Sequence, residues 1–112
     1  MHVEEKIMGE VAILSIKGDI LDAEDDQTFQ LKIVSLAVDG VRKVVVDLSK
    51  VERVNSRSLS AFISAVKTMR RSRGDIRFTG IEGHVNDIFV ETKLIQAFST
   101  YETVGRAVAS YS

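Results

Sequence analysis

The period of the apolar positions changes repeatedly along the chain, and each change marks a new element. Val3 to Ile7 and Val11 to Lys17 are short runs with β-branched residues, separated by Met8-Gly9-Glu10. That pattern predicts a hairpin turning at Gly9, with Gly18 ending the second strand. From Ala23 to Val38 the spacing becomes helical. Phe29, Ile33 and Leu36 set one stripe and Leu31, Val34 and Val38 widen it, which predicts a helix buried over much of its circumference. Its first turn is acidic, as the helix macrodipole favours. Gly40 stops it, and Lys43 to Leu48 follows with Val44-Val45-Val46, the continuous apolar run of a central parallel strand covered on both faces.

Leu59, Phe62, Ile63, Val66 and Met69 then share one helical face, in a helix running from Ser56 or Ser58 to Arg73. Gly74 ends it, and Lys67, Arg70, Arg71 and Arg73 complement its negative end. Ile76 to Thr79 predicts a short strand, Val85, Ile88 and Phe89 one face of a short helix, and Leu94 to Phe98 a last strand. Ser99-x-x-Glu102 has the form of a capping box, with Tyr101, Val104, Val108 and Tyr111 following at helical spacing, and predicts a final helix. The order is β-β-α-β-α-β-α-β-α. The fold class is therefore α/β, with a mostly parallel mixed sheet of about five strands and about four helices joined by right-handed crossovers.

Composition narrows the picture. A chain of 112 residues with no Pro-, Gly- or Ser-rich linker is read as one domain spanning residues 1–112. Its 45% hydrophobic and 28% charged residues are those of a folding domain rather than a disordered one. The absence of Cys removes disulfides, thiolate metal sites and cysteine nucleophiles together. A formal net charge of −1 argues against a dedicated nucleic-acid binder. No apolar run approaches the length of a membrane span, and Met-His-Val-Glu-Glu-Lys lacks the features of a secretory signal, so a cytoplasmic location without membrane insertion is expected.

Candidate chemistry is sparse. His2 and His84 do not belong to a metal-binding pattern, and no metal or cofactor is expected. Asp19, Asp22, Glu24, Asp25 and Asp26 place five carboxylates in eight residues, read as a solvated helix start rather than a cation site. Lys67, Arg70, Arg71 and Arg73 are read as helix C-terminal charges rather than phosphate contacts. No serine has the flanks of a nucleophile elbow, and neither a Walker A loop nor a G-x-G-x-x-G occurs, so no enzymatic activity is expected. What remains is the junction from Asp47 to Leu59. Asn55, Ser56 and Ser58 are good helix caps there, at the carboxyl end of a central strand, where free amides welcome anions and side chains meet partners. A phosphorylated serine at such a place adds about two negative charges and works as a switch.

Val44-Val45-Val46-Asp47-Leu48-Ser49 followed by Asn55-Ser56-Arg57-Ser58-Leu59 resembles the hallmark of the STAS domains, in which an apolar strand and Asp-Leu-Ser precede Asp-Ser-Ser-Gly-Leu. Gly18-Asp19-Ile20 is similar to the family's Gly-Glu-Leu, and Thr100-Tyr101-Glu102-Thr103 with Ala107 to its closing helix. The resemblance covers about Val3 to Tyr111. It implies a stand-alone anti-sigma factor antagonist: a monomer or weak dimer that binds an anti-sigma factor, often a serine kinase with a histidine-kinase-like ATPase fold, and so frees a sigma factor. The implied partner-binding residues are Gly18, Asp19, Asp22, Asn55, Ser56, Arg57, Ser58 and Leu59. The usual phosphoacceptor is the second serine of the motif, and Arg57 stands in its place, so the switch is altered or absent. Three outcomes follow: a constitutively active domain, Ser56 or Ser58 as a displaced acceptor, or Arg57 as a permanent mimic of the blocked state. A STAS accessory subunit of a transporter or stress-sensing complex is the alternative role.

Overall fold

The computed structural model describes residues 1–112. Strands β1 (His2–Met8), β2 (Val11–Lys17), β3 (Lys43–Lys50), β4 (Asp75–Thr79) and β5 (Ser99–Tyr101) form one sheet in the order β1-β2-β3-β4-β5. Only β1 is antiparallel to its neighbour; the other three pairings are parallel. Helices α1 (Ala23–Val38), α2 (Ser56–Arg71), α3 (Gly83–Glu91) and α4 (Val104–Ala109) complete the predicted order. Strand β3 lies at the centre with Val44, Val45 and Val46 all fully buried, as its unbroken apolar run requires.

Val44 and Val46 face the larger core, built with Phe29 of α1, Phe62 of α2 and Phe89 of α3. Val45 points to the opposite face and packs with Val11, Ile13 and Ala107 under α4. Helix α2 buries Leu59, Phe62, Ala65, Val66 and Met69 as its spacing predicts, although it ends at Arg71 rather than Arg73. Gly74 follows so closely beneath the preceding strand that an added Cβ would stand 2.5 Å from the Arg42 carbonyl.

Three expectations are corrected. The last strand is not Leu94 to Phe98, which forms a 3₁₀ turn at Ile95–Ala97 with Phe98 buried. The strand is Ser99–Tyr101, whose backbone pairs with Arg77, Phe78 and Thr79. Ser99 therefore heads no capping box. Thr103 is the cap of α4, its side chain accepting from the Arg106 amide at 3.1 Å, because tertiary pairing takes Ser99 to Tyr101 into the sheet. Third, α1 buries only Phe29, Ile33 and Leu36 fully or nearly so. Leu31, Val34 and Val38 are exposed, because nothing packs on the outer side of this helix.

Tyr111 pins α4's end to the sheet. Its hydroxyl lies 2.8 Å from the carbonyls of both Val44 and Asp75, accepts the Val44 N–H at 3.3 Å, and its ring sits under the Arg77 guanidinium at 3.9 Å. Burial pushes its pKa up to about 12, with Asp75 adding to the effect and the hydrogen bond from Val44 opposing it. The fold thus prefers the neutral phenol. That contribution is complete below the ordinary value of 10.0 and is lost as pH rises from there toward about 12. Tyr111→Phe is expected to flatten the fall in stability across this window, measured as urea midpoints against pH; a variant profile parallel to that of the parent would contradict it.

Candidate functional site at the start of helix α2

Beyond the ends of β2 and β3 the parallel pairing continues as isolated contacts. Gly18 N–H donates to the Lys50 carbonyl at 3.3 Å, Ile20 N–H to the Arg53 carbonyl at 3.0 Å, and Ile20 bridges Val54. Gly18 has φ of +89°, a left-handed conformation that releases the chain from the strand. These contacts lay the loop at 18–22 beside the loop at 50–57, at the carboxyl ends of the parallel strands, where α/β sheets present their binding residues.

The Asp47-Leu48-Ser49 motif shapes the floor. Asp47 Oδ1 accepts the Ser49 amide at 2.9 Å, and Leu48 is buried. Gly80, with φ of +72°, passes so near that a Cβ there would stand 2.5 Å from the Ser49 nitrogen and 2.8 Å from Asp47 Oδ1. Only glycine fits.

Asn55 caps α2. Its Oδ1 accepts the Ser58 amide at 2.9 Å while its Nδ2 donates to the Leu21 carbonyl at 2.9 Å. An aspartate could make the first bond but has no donor for the second, which is a physical reason for an amide at this position. Ser58 is fully buried, and its hydroxyl donates to the Ile20 carbonyl at 2.5 Å. Ser58→Ala is expected to cost about 1–3 kcal/mol of stability by leaving the buried Ile20 carbonyl unpaired, read from urea unfolding; a loss below half a kcal/mol, roughly the floor of such effects, would show that water replaces the bond.

Arg57 turns across to α1. Its Nε donates to Asp26 Oδ2 at 3.1 Å and its Nη2 to the Leu21 carbonyl at 2.7 Å. The Asp26 side chain is only 13% exposed, so this pair is screened less than a surface ion pair. The contact offsets the unfavourable placing of a cation in the first turn of α2. The Leu21 carbonyl accordingly receives two donors, from Asn55 and Arg57. Asp19 Oδ2 accepts from Arg53 Nε and Nη2 at 3.1 and 2.8 Å. Asp22 caps α1 through the Asp25 amide at 2.8 Å.

Of the eight predicted partner-binding residues, Gly18, Asp19, Asp22, Asn55, Ser56, Arg57 and the buried Ser58 therefore meet in one place. Leu59 is fully buried and belongs to the core beneath it. Ser56 is exposed at the helix start. The residues that sequence reasoning passed over are Leu21, Arg53 and Asp26. In the sequence Asp26 reads as part of a solvated acidic helix start, and no local signal pairs it with Arg57.

The sheet order thus sets a capped helix start beside the loop that follows the second strand. The chain belongs to the STAS domain family, whose model matches residues 2–107. Among curated proteins it is 22% identical over 107 residues to BtrV of Bordetella bronchiseptica, designated an anti-sigma factor antagonist, covering 96% of this chain and 90% of that one. Its fold matches a Thermotoga maritima protein described in the same terms, with TM-score 0.85 at 23% identity over 96% of this chain and 92% of that one. The Bacillus cell fate determinant SpoIIAA in its phosphorylated form superposes with TM-score 0.72 at 10% identity, covering 99% and 100% of the two chains. No helix is long and apolar enough to cross a membrane.

Proposed function

We propose that the chain is an anti-sigma factor antagonist, a non-catalytic binding module that engages an anti-sigma factor of the serine-kinase type through the start of α2 and the loop after β2. Its phosphorylation switch at position 57 is replaced by a fixed ionic latch. The observation that carries this reading is the Arg57 guanidinium held between Asp26 and the Leu21 carbonyl. The relatives are described as anti-sigma factor antagonists, and the Bacillus relative is known in phosphorylated and unphosphorylated forms. A phosphate placed at position 57 would be repelled by Asp26 and would lose the donor to Leu21. Arginine accepts no phosphate and carries the opposite charge, so it supports the permanently binding-competent state and not a mimic of the blocked one. Of the two flanking serines, Ser56 is the one within reach of a kinase, Ser58 being sealed against Ile20.

A tagged full chain, used to capture partners from its source cell and followed by mass spectrometry of the bound proteins and of the peptide containing Asn55 to Leu59, tests this. Recovery of an anti-sigma factor with a kinase-like ATPase fold and an unmodified peptide is expected. Phosphate on Ser56 would show the switch displaced by one residue instead of lost. Recovery of transporter or stress-complex subunits in its place would overturn the antagonist role.

A further inference from the structure

Seven large apolar side chains are exposed, and five of them, Ile7, Met8, Leu31, Val34 and Val38, lie on the outer face of α1 and on the hairpin beneath its carboxyl end. Leu31, Val34 and Val38 recur at helical spacing and form one lengthwise stripe, 59%, 38% and 79% exposed. At its lower end a cleft of about 390 Å³ opens between Ile7 and the Asp39–Val41 turn. Stability does not explain this stripe, since a polar residue would serve at each position.

A row of cations runs beside it. Gln30 of α1 donates to Thr68 of α2 at 3.0 Å, so the two helices lie side by side at the turns that carry Val34 on one and Lys67 and Arg71 on the other. Past the helix end, Asp75 N–H donates to the Arg42 carbonyl at 2.9 Å, which sets the turn after α2 beside the turn after α1. Arg70 is paired with Asp75 and Arg42 donates to the Ala37 and Val41 carbonyls at 3.0 Å, whereas Lys67, Arg71 and Arg73 are exposed and have no carboxylate partner. Against them stand the exposed Asp39 and, lining the cleft, Glu10, which is paired with Lys43. The stripe runs away from the start of α2: Asp26 of α1 meets Arg57 there, Leu31 lies about 8 Å further along the helix and Val38 about 18 Å, at the usual helical rise.

We propose that the outer face of α1, with its flanking cations, is a second docking surface whose occupant is an acidic amphipathic helix of another protein. An apolar stripe lying lengthwise beside a cationic row matches a helix with one apolar and one carboxylate-rich face. A second copy of this chain is disfavoured because the same face brought against itself would oppose its own cations. Occupation of this surface leaves the start of α2 free, so the domain joins two partners at once.

The test is a fluorescence-anisotropy titration of the full chain against a labelled synthetic helix with leucines at one face and glutamates at the other. A peptide of the same composition in scrambled order is the control. The patterned peptide is expected to bind about tenfold or more tightly than the scrambled one, and Val38→Asp and Arg71→Glu are each expected to lose about tenfold or more of that affinity. Both substitutions fall on exposed positions, so their unfolding midpoints should match the parent and separate lost binding from lost folding. Equal binding of the two peptides, no binding, or variants that bind like the parent would overturn the proposal. Binding only to phosphatidylglycerol vesicles would reassign the face to lipid, and self-association abolished by Val38→Asp would reassign it to a second copy; either overturns it.

Discussion

Phe62→Ala is expected to lower the free energy of unfolding by about 3–5 kcal/mol, among the largest losses a single substitution can produce in this chain. All five phenylalanines form one continuous row. Phe62 meets Phe29 edge-on at 5.0 Å and Phe78 at 5.5 Å; Phe78 meets Phe98 at 5.0 Å, and Phe98 meets Phe89 at 5.0 Å. The row ties α1, α2, β4 and α3 into one core, and Phe62 joins its first member to the rest. Truncation removes two aromatic contacts, each worth about 0.5–1.5 kcal/mol beyond area burial, and leaves a cavity whose walls are held by the central strand. The chain has no Trp, so urea unfolding followed by far-ultraviolet circular dichroism is the suitable measurement. A loss below about 1.5 kcal/mol, the cost of a volume-conserving swap, would mean that α1 and α2 close over the gap. The slope of the transition should be unchanged, since the surface exposed on unfolding barely alters.

The frame of this molecule was legible because its strongest signals are local. Val44-Val45-Val46 must be covered on both faces, and the spacing of Leu59, Phe62, Val66 and Met69 admits one helical face, so the central strand and the best helix follow from short windows of sequence. The β-β-α-β-α-β-α-β-α order follows from the same reasoning. Where signals compete, local reading fails. Ser99-Thr100-Tyr101 satisfies a capping pattern and a strand equally well, and only the open edge of β4 decides for the strand. Leu31, Val34 and Val38 read as core because helical periodicity reports what an element is able to bury, not whether a neighbour arrives to cover it.

The site divides in the same way. Its members on either side of β3 could be named from the motif, but the role of Arg57 could not. Its two partners, the Asp26 carboxylate and the Leu21 carbonyl, lie 31 and 36 positions away along the chain. They come within reach only because β2 and β3 pair in parallel and the loops beyond them remain paired through Ile20 and Val54. A substitution that looks like the loss of a function at the level of sequence is, in the fold, the gain of a contact.

That contact sets the strongest functional expectation. Arg57→Glu should abolish partner binding, by about a hundredfold or more, while the chain remains folded. The substitution removes both donors of the guanidinium and places a carboxylate opposite Asp26, whose side chain is mostly buried and whose Oδ1 already has no hydrogen-bond partner. Like charges at that separation in a partly desolvated setting repel, and the relief available to the chain is to move the loop at 18–22 away from the start of α2. On the proposed reading, a phosphate at position 57 would force the same movement. Arg57→Ser is the counterpart. It removes the latch without adding repulsion and restores a hydroxyl, so binding should fall by about tenfold or less until a kinase modifies the serine, after which it should fall to the level of the glutamate variant. Calorimetric titration of the captured partner with each variant distinguishes the possibilities. If Arg57→Glu binds like the parent, the surface at the start of α2 is not the interface, whereas weak binding by both variants would show that the guanidinium itself touches the partner and that the bond to Asp26 serves to aim it.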